Sequence, residues 1–172
     1  MDEVMIRDRQ PSDVQPCVDL LADVHRLDGY PLNWPADPHR WLCPPDMLHA
    51  WIATTDSAAV VGHVAVHAAP GPSGDHGPAR PSAEVGRLFV APAFRRDHVA
   101  TRLLQNARRW AADYRTDLTL EVVASQRSAA IALYERTGWQ HLHTTTANWT
   151  TPDGGPVMLR RYTLHQDPRD GA

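Results

Sequence analysis

Lysine is absent from the sequence, and all 17 basic residues are arginine. The bias, together with 15 prolines, matches the codon pressure of a GC-rich genome, and it leaves the α-amino group as the one ordinary target for self-acylation. Cysteine is scarce. Cys17 and Cys43 could form one bridge at most and have neither a Cys-x-x-Cys nor a Cys/His spacing for zinc, so both are expected to be reduced, buried small hydrophobes. A basic excess is missing too: the net charge is −3 and the pI near 6.3, which excludes the electrostatic footprint of a nucleic-acid-binding surface. Long apolar runs are lacking. The longest, Ala58 to Ala69, is broken by Gly62, His63 and His67 and falls short of the roughly 20 residues that span a bilayer. No transmembrane helix and no membrane partner are expected. The opening residues, MDEVMIRDRQ, lack the basic start and apolar run of a secretory signal, so the protein is read as cytoplasmic. Neither a Gly-x-Ser-x-Gly elbow nor a Walker loop is present, which leaves hydrolase and nucleoside-triphosphate chemistry without a motif.

What is present describes one globular domain over residues 1–172, with 42% hydrophobic and 22% charged residues. Residues 4–8 suit a short opening strand. Pro11-Ser12-Asp13 should start a helix, with Ser12 and Gln15 at capping-box spacing. Val14, Cys17, Val18, Leu21 and Val24 then recur at helical spacing, up to a left-handed cap at Gly29. The segment 28–46 holds Tyr30, Trp34 and Trp41 among prolines and should be irregular, with one short helix near Pro38 to Leu42; its tryptophans suit a wall on the acceptor side or their own packing. His49 to Thr55 and Val60 to Ala68 read as an antiparallel hairpin around Asp56-Ser57. Residues 69–83, crowded with Gly and Pro, should be an exposed loop.

A strand is expected over Glu84 to Val90, then a helix over Val99 to Tyr114 with Val99, Leu103, Ala107, Trp110 and Tyr114 on one face. Leu118 to Ala124 should form a strand and Ser128 to Thr137 a helix closed by Gly138. Trp139 to Thr150 and Val157 to Leu164 complete a last hairpin. Strand, helix, strand, helix in the second half implies a right-handed crossover, and hence an α/β fold whose mixed, mostly antiparallel sheet contains one parallel pair.

Chemistry concentrates in GRLFVAPAFRRDHVATRLL, residues 86–104. A turn carrying Arg95 and Arg96 just before a helix start suits either an anion site or a solvated helix end. Ten histidines invite a metal reading, but the close pairs His63/His67 and His141/His143 have no third ligand nearby, so surface or core histidines are expected and no metal.

Leu88, Val90, Pro92, Phe94, Arg95 and Ala100 resemble the cofactor motif of the GNAT superfamily of acetyl-CoA-dependent N-acetyltransferases, with His98 where the family has its first glycine. A second stretch, AAIALYERTGW at 129–139, resembles the family's Ala-x-x-Leu-Tyr-Glu-x-x-Gly-[Phe/Trp] helix end. The likeness is close over 84–142. It implies a GNAT-like sheet that splays between the two parallel strands, with helices on both faces. The backbone of Leu88, Phe89 and Val90 would pair with the pantetheine arm, and the amides of Arg95, Arg96, Asp97, His98, Val99 and Ala100 would wrap the pyrophosphate. Tyr134 aligns with the tyrosine that protonates the departing thiolate. Glu84 stands where the histone-acetylating branch has its general base, and Glu121 is its rival, as base or as a member of a water chain. Arg127 falls where relatives place an asparagine for the cofactor amide, and Gln126 beside it keeps the amide chemistry. The expected activity is acetyl transfer from acetyl-CoA to a primary amine, a small molecule before a protein, and a homodimer is compatible with it. The alternative is a non-catalytic acyl-CoA-binding or sensor module.

Overall fold

The structure, a computed structural model, describes residues 3–69, 81–124 and 129–165. Seven strands, four helices and two 3-10 turns occur among them. The chain divides into two compact units: Met1–Val66 with Arg87–Ala107, and His67–Gly86 with Arg108–Ala172.

The first unit opens with β1 (Met5–Asp8), followed by helix α1 (Val14–Asp28). The α1 stripe buries Cys17, Val18, Leu20, Leu21 and Val24. Gly29, at φ +70°, ends the helix by donating its N–H to the His25 carbonyl at 2.8 Å, as its position after the stripe predicts. The start differs from expectation. Asp13, not Ser12, ties the first turn: its carboxylate accepts the Gln10 N–H at 2.7 Å and takes both Nη atoms of Arg7 at 2.7 and 2.9 Å. Gln15 turns instead to Asp19 and His39.

Helix α2 (Pro38–Leu42) forms where the prolines place it, with the Asp37 carboxylate accepting the Arg40 N–H. Strands β2 (Met47–Thr54) and β3 (Val60–Ala68) are joined by a turn closed by Thr55 N–H to Ala59 O at 3.0 Å. Strand β1 pairs antiparallel with β2, and the order in this unit is β1-β2-β3-β4. Leu42, Ile52 and Phe89 join the α1 stripe in its core. Cys43 departs from expectation: both cysteines are free, but only Cys17 is buried, while Cys43 is exposed and lies 3.1 Å from Nη2 of Arg9.

Strand β4 (Ser82–Val90) runs through both units, as does helix α3 (Val99–Asp113). The buried face of α3 is Val99, Leu103, Leu104, Ala107 and Ala111. Tyr114 is 65% exposed and Trp110 only half-buried, so the expected stripe is rotated toward Ala111.

In the second unit β5 (Asp117–Val123), β6 (Gln140–Thr150) and β7 (Pro156–Leu164) follow β4 in the order β4-β5-β7-β6. Strands β4 and β5 are parallel, with Ser82–Val85 against Asp117–Leu120, and β7 runs antiparallel to both β5 and β6. Helix α4 (Ala129–Arg136) lies between β5 and β6 in sequence, and Gly138 follows it at φ +93°. Most of the expected loop at 69–83, and both Gln126 and Arg127, lie outside the described residues. Among the described residues no helix is long and apolar enough to cross a membrane.

Candidate active site

In the first unit β4 does not run straight. Arg87 sits at φ +52°, a left-handed conformation uncommon for a residue with a Cβ, and three residues later the strand ends. Leu88, Phe89 and Val90 follow the kink, with Phe89 and Val90 buried. A 3-10 turn over Pro92–Phe94 reverses the chain, and Arg95, Arg96, Asp97 and His98 form an exposed turn into α3.

Within that turn Arg96 and His98 both have positive φ, at +71° and +58°. His98 therefore adopts the backbone conformation that makes glycine favourable at such a position. Its carbonyl accepts the Arg102 N–H at 2.9 Å, which makes it the residue that opens α3. The first four amides of a helix have no partner within it and carry the positive end of the helix dipole. Val99 and Ala100 supply two of them, so the turn is chemically suited to a phosphate. The Arg95 guanidinium does not stand ready for one in this structure: it is hydrogen-bonded to the Asp28 carboxylate at the end of α1 and reaches the Val90 carbonyl at 3.4 Å.

The aromatics of the 28–46 segment divide. Tyr30 packs against Trp41 and Phe89, and burial pushes its phenol up to about 12. Trp34 stays 40% exposed, tilted over His25. The guanidinium of Arg87 lies 4.7 Å from the centroid of the Trp41 ring, and its Nε donates to the Trp41 carbonyl at 3.0 Å.

The second unit brings the two candidate bases together. Glu84 pairs in register with Thr119 on the parallel strand, and Glu121, two residues on, faces the same side. Arg161 on β7 is the direct partner of Glu121. Its Nη1 donates to Glu121 Oε1 at 2.9 Å and stands 3.7 Å from Glu84 Oε2, while Nη2 donates to Thr119 Oγ1 at 3.3 Å. One arginine thus spans both carboxylates. It grips Glu121 closely and leaves Glu84 beyond hydrogen-bond length.

Tyr134 occupies the other side of the same strands. Arg161 and Tyr162 are consecutive on β7, so their side chains leave opposite faces, and the buried Tyr134 ring lies 6.2 Å from that of Tyr162 and 6.0 Å from that of Trp139. The α4 end holds it there, because the Tyr134 carbonyl accepts the N–H groups of Thr137 and Trp139, both at 3.1 Å. The Tyr162 hydroxyl donates to Glu135 at 3.0 Å, and burial raises its phenol above the ordinary value.

Sequence reasoning missed Arg161, Thr119 and the Arg87 kink. One signal was available for the first: without lysine, any cation beside a strand carboxylate has to be an arginine or a histidine. His63 and His67 are buried, His141 and His143 exposed. No cluster of three or more His, Cys, Asp or Glu that could hold a metal occurs among the described residues.

Residues 17–139 match the family model described as Acetyltransferase (GNAT) family, a stretch that draws on both units. No curated protein matches the sequence significantly. Similar solved structures include the ribosomal-protein-S18-alanine N-acetyltransferase from Escherichia coli, at TM-score 0.70 and 17% identity over 98% of each chain. The ribosomal-protein-alanine N-acetyltransferase from Brucella melitensis matches at TM-score 0.75 and 19% identity, over 94% of this chain and 99% of that one. Arabidopsis thaliana NAA60 in complex with acetyl-CoA matches at 0.75 and 16%, over 94% and 98%. At these identities the likeness establishes the fold.

Proposed function

The chain belongs to the GNAT acetyltransferase family, and on that premise we propose that it transfers the acetyl group of acetyl-CoA to a primary amine by direct attack in a ternary complex. The observation that carries this reading is the turn before α3. His98 replaces the family glycine yet keeps a left-handed backbone and opens the helix, so the residues that would wrap a pyrophosphate retain the conformation that role needs.

Each group then has a stated task. The backbone of Leu88, Phe89 and Val90 pairs with the pantetheine arm, and the amides from Arg95 to Ala100, through Arg96, Asp97, His98 and Val99, receive the pyrophosphate. Attack requires a neutral amine, since an ammonium has no lone pair. Glu84 takes the amine proton, directly or through water, because its carboxylate is the one that Arg161 grips less closely. As the new C–N bond forms and the C–S bond breaks, the Tyr134 hydroxyl, reaching the thioester from the face of the strands opposite Glu84, gives its proton to the departing thiolate, and the second proton shed by the attacking nitrogen restores the tyrosinate.

Titration calorimetry with acetyl-CoA, followed by thiol release across a panel of small amines and of peptides with free N-termini, tests the proposal. Binding with turnover on at least one amine supports it, and the responsive arm of the panel names the acceptor class. Binding without turnover on any amine would favour the non-catalytic module, a reading that rests on His98 as a departure from the family. No binding would refute both.

A further inference from the structure

His63 is wholly buried on β3, and both of its ring nitrogens are engaged. Nε2 lies 2.9 Å from Nη1 of Arg9, and Nδ1 lies 2.8 Å from the carbonyl of Arg87. A guanidinium has no acceptor, so Nε2 must accept, and the proton must sit on Nδ1 and be donated to Arg87. The tautomer follows from the partners. The imidazole also stacks on Phe89, at 5.0 Å between centroids and 17° between planes. Its donor thus meets the one β4 residue with a left-handed φ, and its face meets the ring two residues later.

A left-handed residue inside a strand disturbs the ladder around it, and its carbonyl gains from a donor fixed in place. His63 Nδ1 is such a donor, at 2.8 Å from the Arg87 carbonyl. Two arginines frame it. Arg9 Nη1 also donates to the Leu42 carbonyl at 2.8 Å, and Arg87 Nε to the Trp41 carbonyl at 3.0 Å. The consecutive carbonyls at the end of α2 are therefore held by the same network that holds the kink.

We propose that His63, oriented by Arg9, is a positioning residue for acetyl transfer: it holds the Arg87 kink and thereby sets the course of Leu88, Phe89 and Val90, the backbone that receives the cofactor arm. The second half of that statement rests on the function proposed above; the holding of the kink does not.

Three variants separate the contributions. His63→Phe keeps a flat ring against Phe89 and removes both hydrogen bonds. His63→Asn places an amide donor near the position of Nδ1. Arg87→Gly, combined with His63→Phe, lets residue 87 take a left-handed φ without a Cβ penalty. The readouts are the NMR shifts of the residue-87 Cα and the Leu88 amide without cofactor, the acetyl-CoA Kd by calorimetry, and the thermal midpoint.

In His63→Phe both shifts should move toward ordinary strand values, and Kd should rise by about tenfold as the loss of the hydrogen bond lets the free protein leave the kinked conformation that binds. His63→Asn should keep the shifts and hold Kd within about threefold of the parent. In the Arg87→Gly background the added His63→Phe should cost less than it does alone. A folded His63→Phe protein with parental shifts or parental Kd overturns the inference, as does His63→Asn behaving like His63→Phe. Should His63→Phe not fold, Arg9→Met, which keeps the ring but frees its tautomer, should raise Kd about threefold, and an unchanged Kd there overturns the inference instead. A parent protein that binds no acetyl-CoA would overturn the proposed function, while the shift comparison would still decide whether His63 holds the kink.

Discussion

Exchanging the two glutamates for glutamine, one at a time, should separate activity from stability in opposite directions. Glu121 Oε1 accepts from Arg161 at 2.9 Å, whereas Glu84 Oε2 stands 3.7 Å from the same Nη1. The first distance is a charge-assisted hydrogen bond and the second a looser ion pair. Such a bond is worth about 1.5–3 kcal/mol when protected from water. Glu121 and Arg161 keep 34% and 21% of their side-chain surface exposed, so solvent screening reduces the value to about 1 kcal/mol. Glu121→Gln should therefore lower the thermal midpoint by about 2–4 °C, the shift expected for a chain of this size. Its effect on kcat/KM should stay within a few-fold. Glu84→Gln should lower the midpoint less through Arg161 than Glu121→Gln does, because the looser 3.7 Å contact is the one weakened, yet lower kcat/KM on the order of 10²-fold by removing the proposed base. The assay is thiol release with the best amine of the panel, run beside thermal melts of the same preparations. A Glu121→Gln protein with the larger loss of activity would show that the closely gripped carboxylate is the base and refute the reasoning from distance.

Tyr134→Phe should keep acetyl-CoA affinity nearly unchanged by calorimetry, since its ring still packs beside Tyr162 and Trp139, while turnover falls on the order of 10²-fold; equal turnover would hand the proton to water. Asp13→Asn should cost about 1 kcal/mol in urea unfolding at pH 7, through the lost charge pair with Arg7, whose side chain is partly solvated. The Arg7 hydrogen bond, working against burial, holds the Asp13 carboxyl below its ordinary 3.8. A depressed value means that its contribution is complete above the unfolded value and lost as pH falls through the folded one, so the gap between parent and variant should close below about pH 4; a gap undiminished at pH 3 would contradict this. His98→Gly removes a Cβ at φ +58° and should change acetyl-CoA affinity by less than about tenfold, and a gain of 100-fold or more in calorimetry would mean that His98 blocks the site.

Local signals carried well from sequence to structure. The α1 stripe and its Gly29 cap, the proline-bounded α2 and both hairpins depend on residues within a few positions of one another. The errors arise where a distant partner decides. Ser12 and Asp13 both have side chains suited to a helix start, and Asp13 is the one engaged, because β1 delivers the Arg7 fork to it while it accepts the Gln10 N–H. On α3, Val99, Leu103 and Ala107 are buried as expected, but Ala111 takes the place expected of Trp110 and Tyr114. Helical periodicity alone does not say which way the stripe turns at its end.

The candidate site divides along the same line. The part proposed to face the phosphates is a contiguous stretch of backbone, so the turn from Arg95 into the start of α3 could be read from sequence, even with a histidine in the glycine position. The acid–base part is assembled by strand register. Glu84 and Glu121 stand 37 positions apart in the numbering, and only the pairings Glu84 with Thr119 and Glu121 with Arg161 reveal them as neighbours that share one guanidinium. They are therefore not independent alternatives, since removing either charge changes what Arg161 sees and hence how it meets the other. Residues joined in this way do not contribute additively. The double glutamine variant should accordingly depart from the sum of the two single effects on stability, because once the Glu121 charge is gone Arg161 can close the 3.7 Å gap to Glu84.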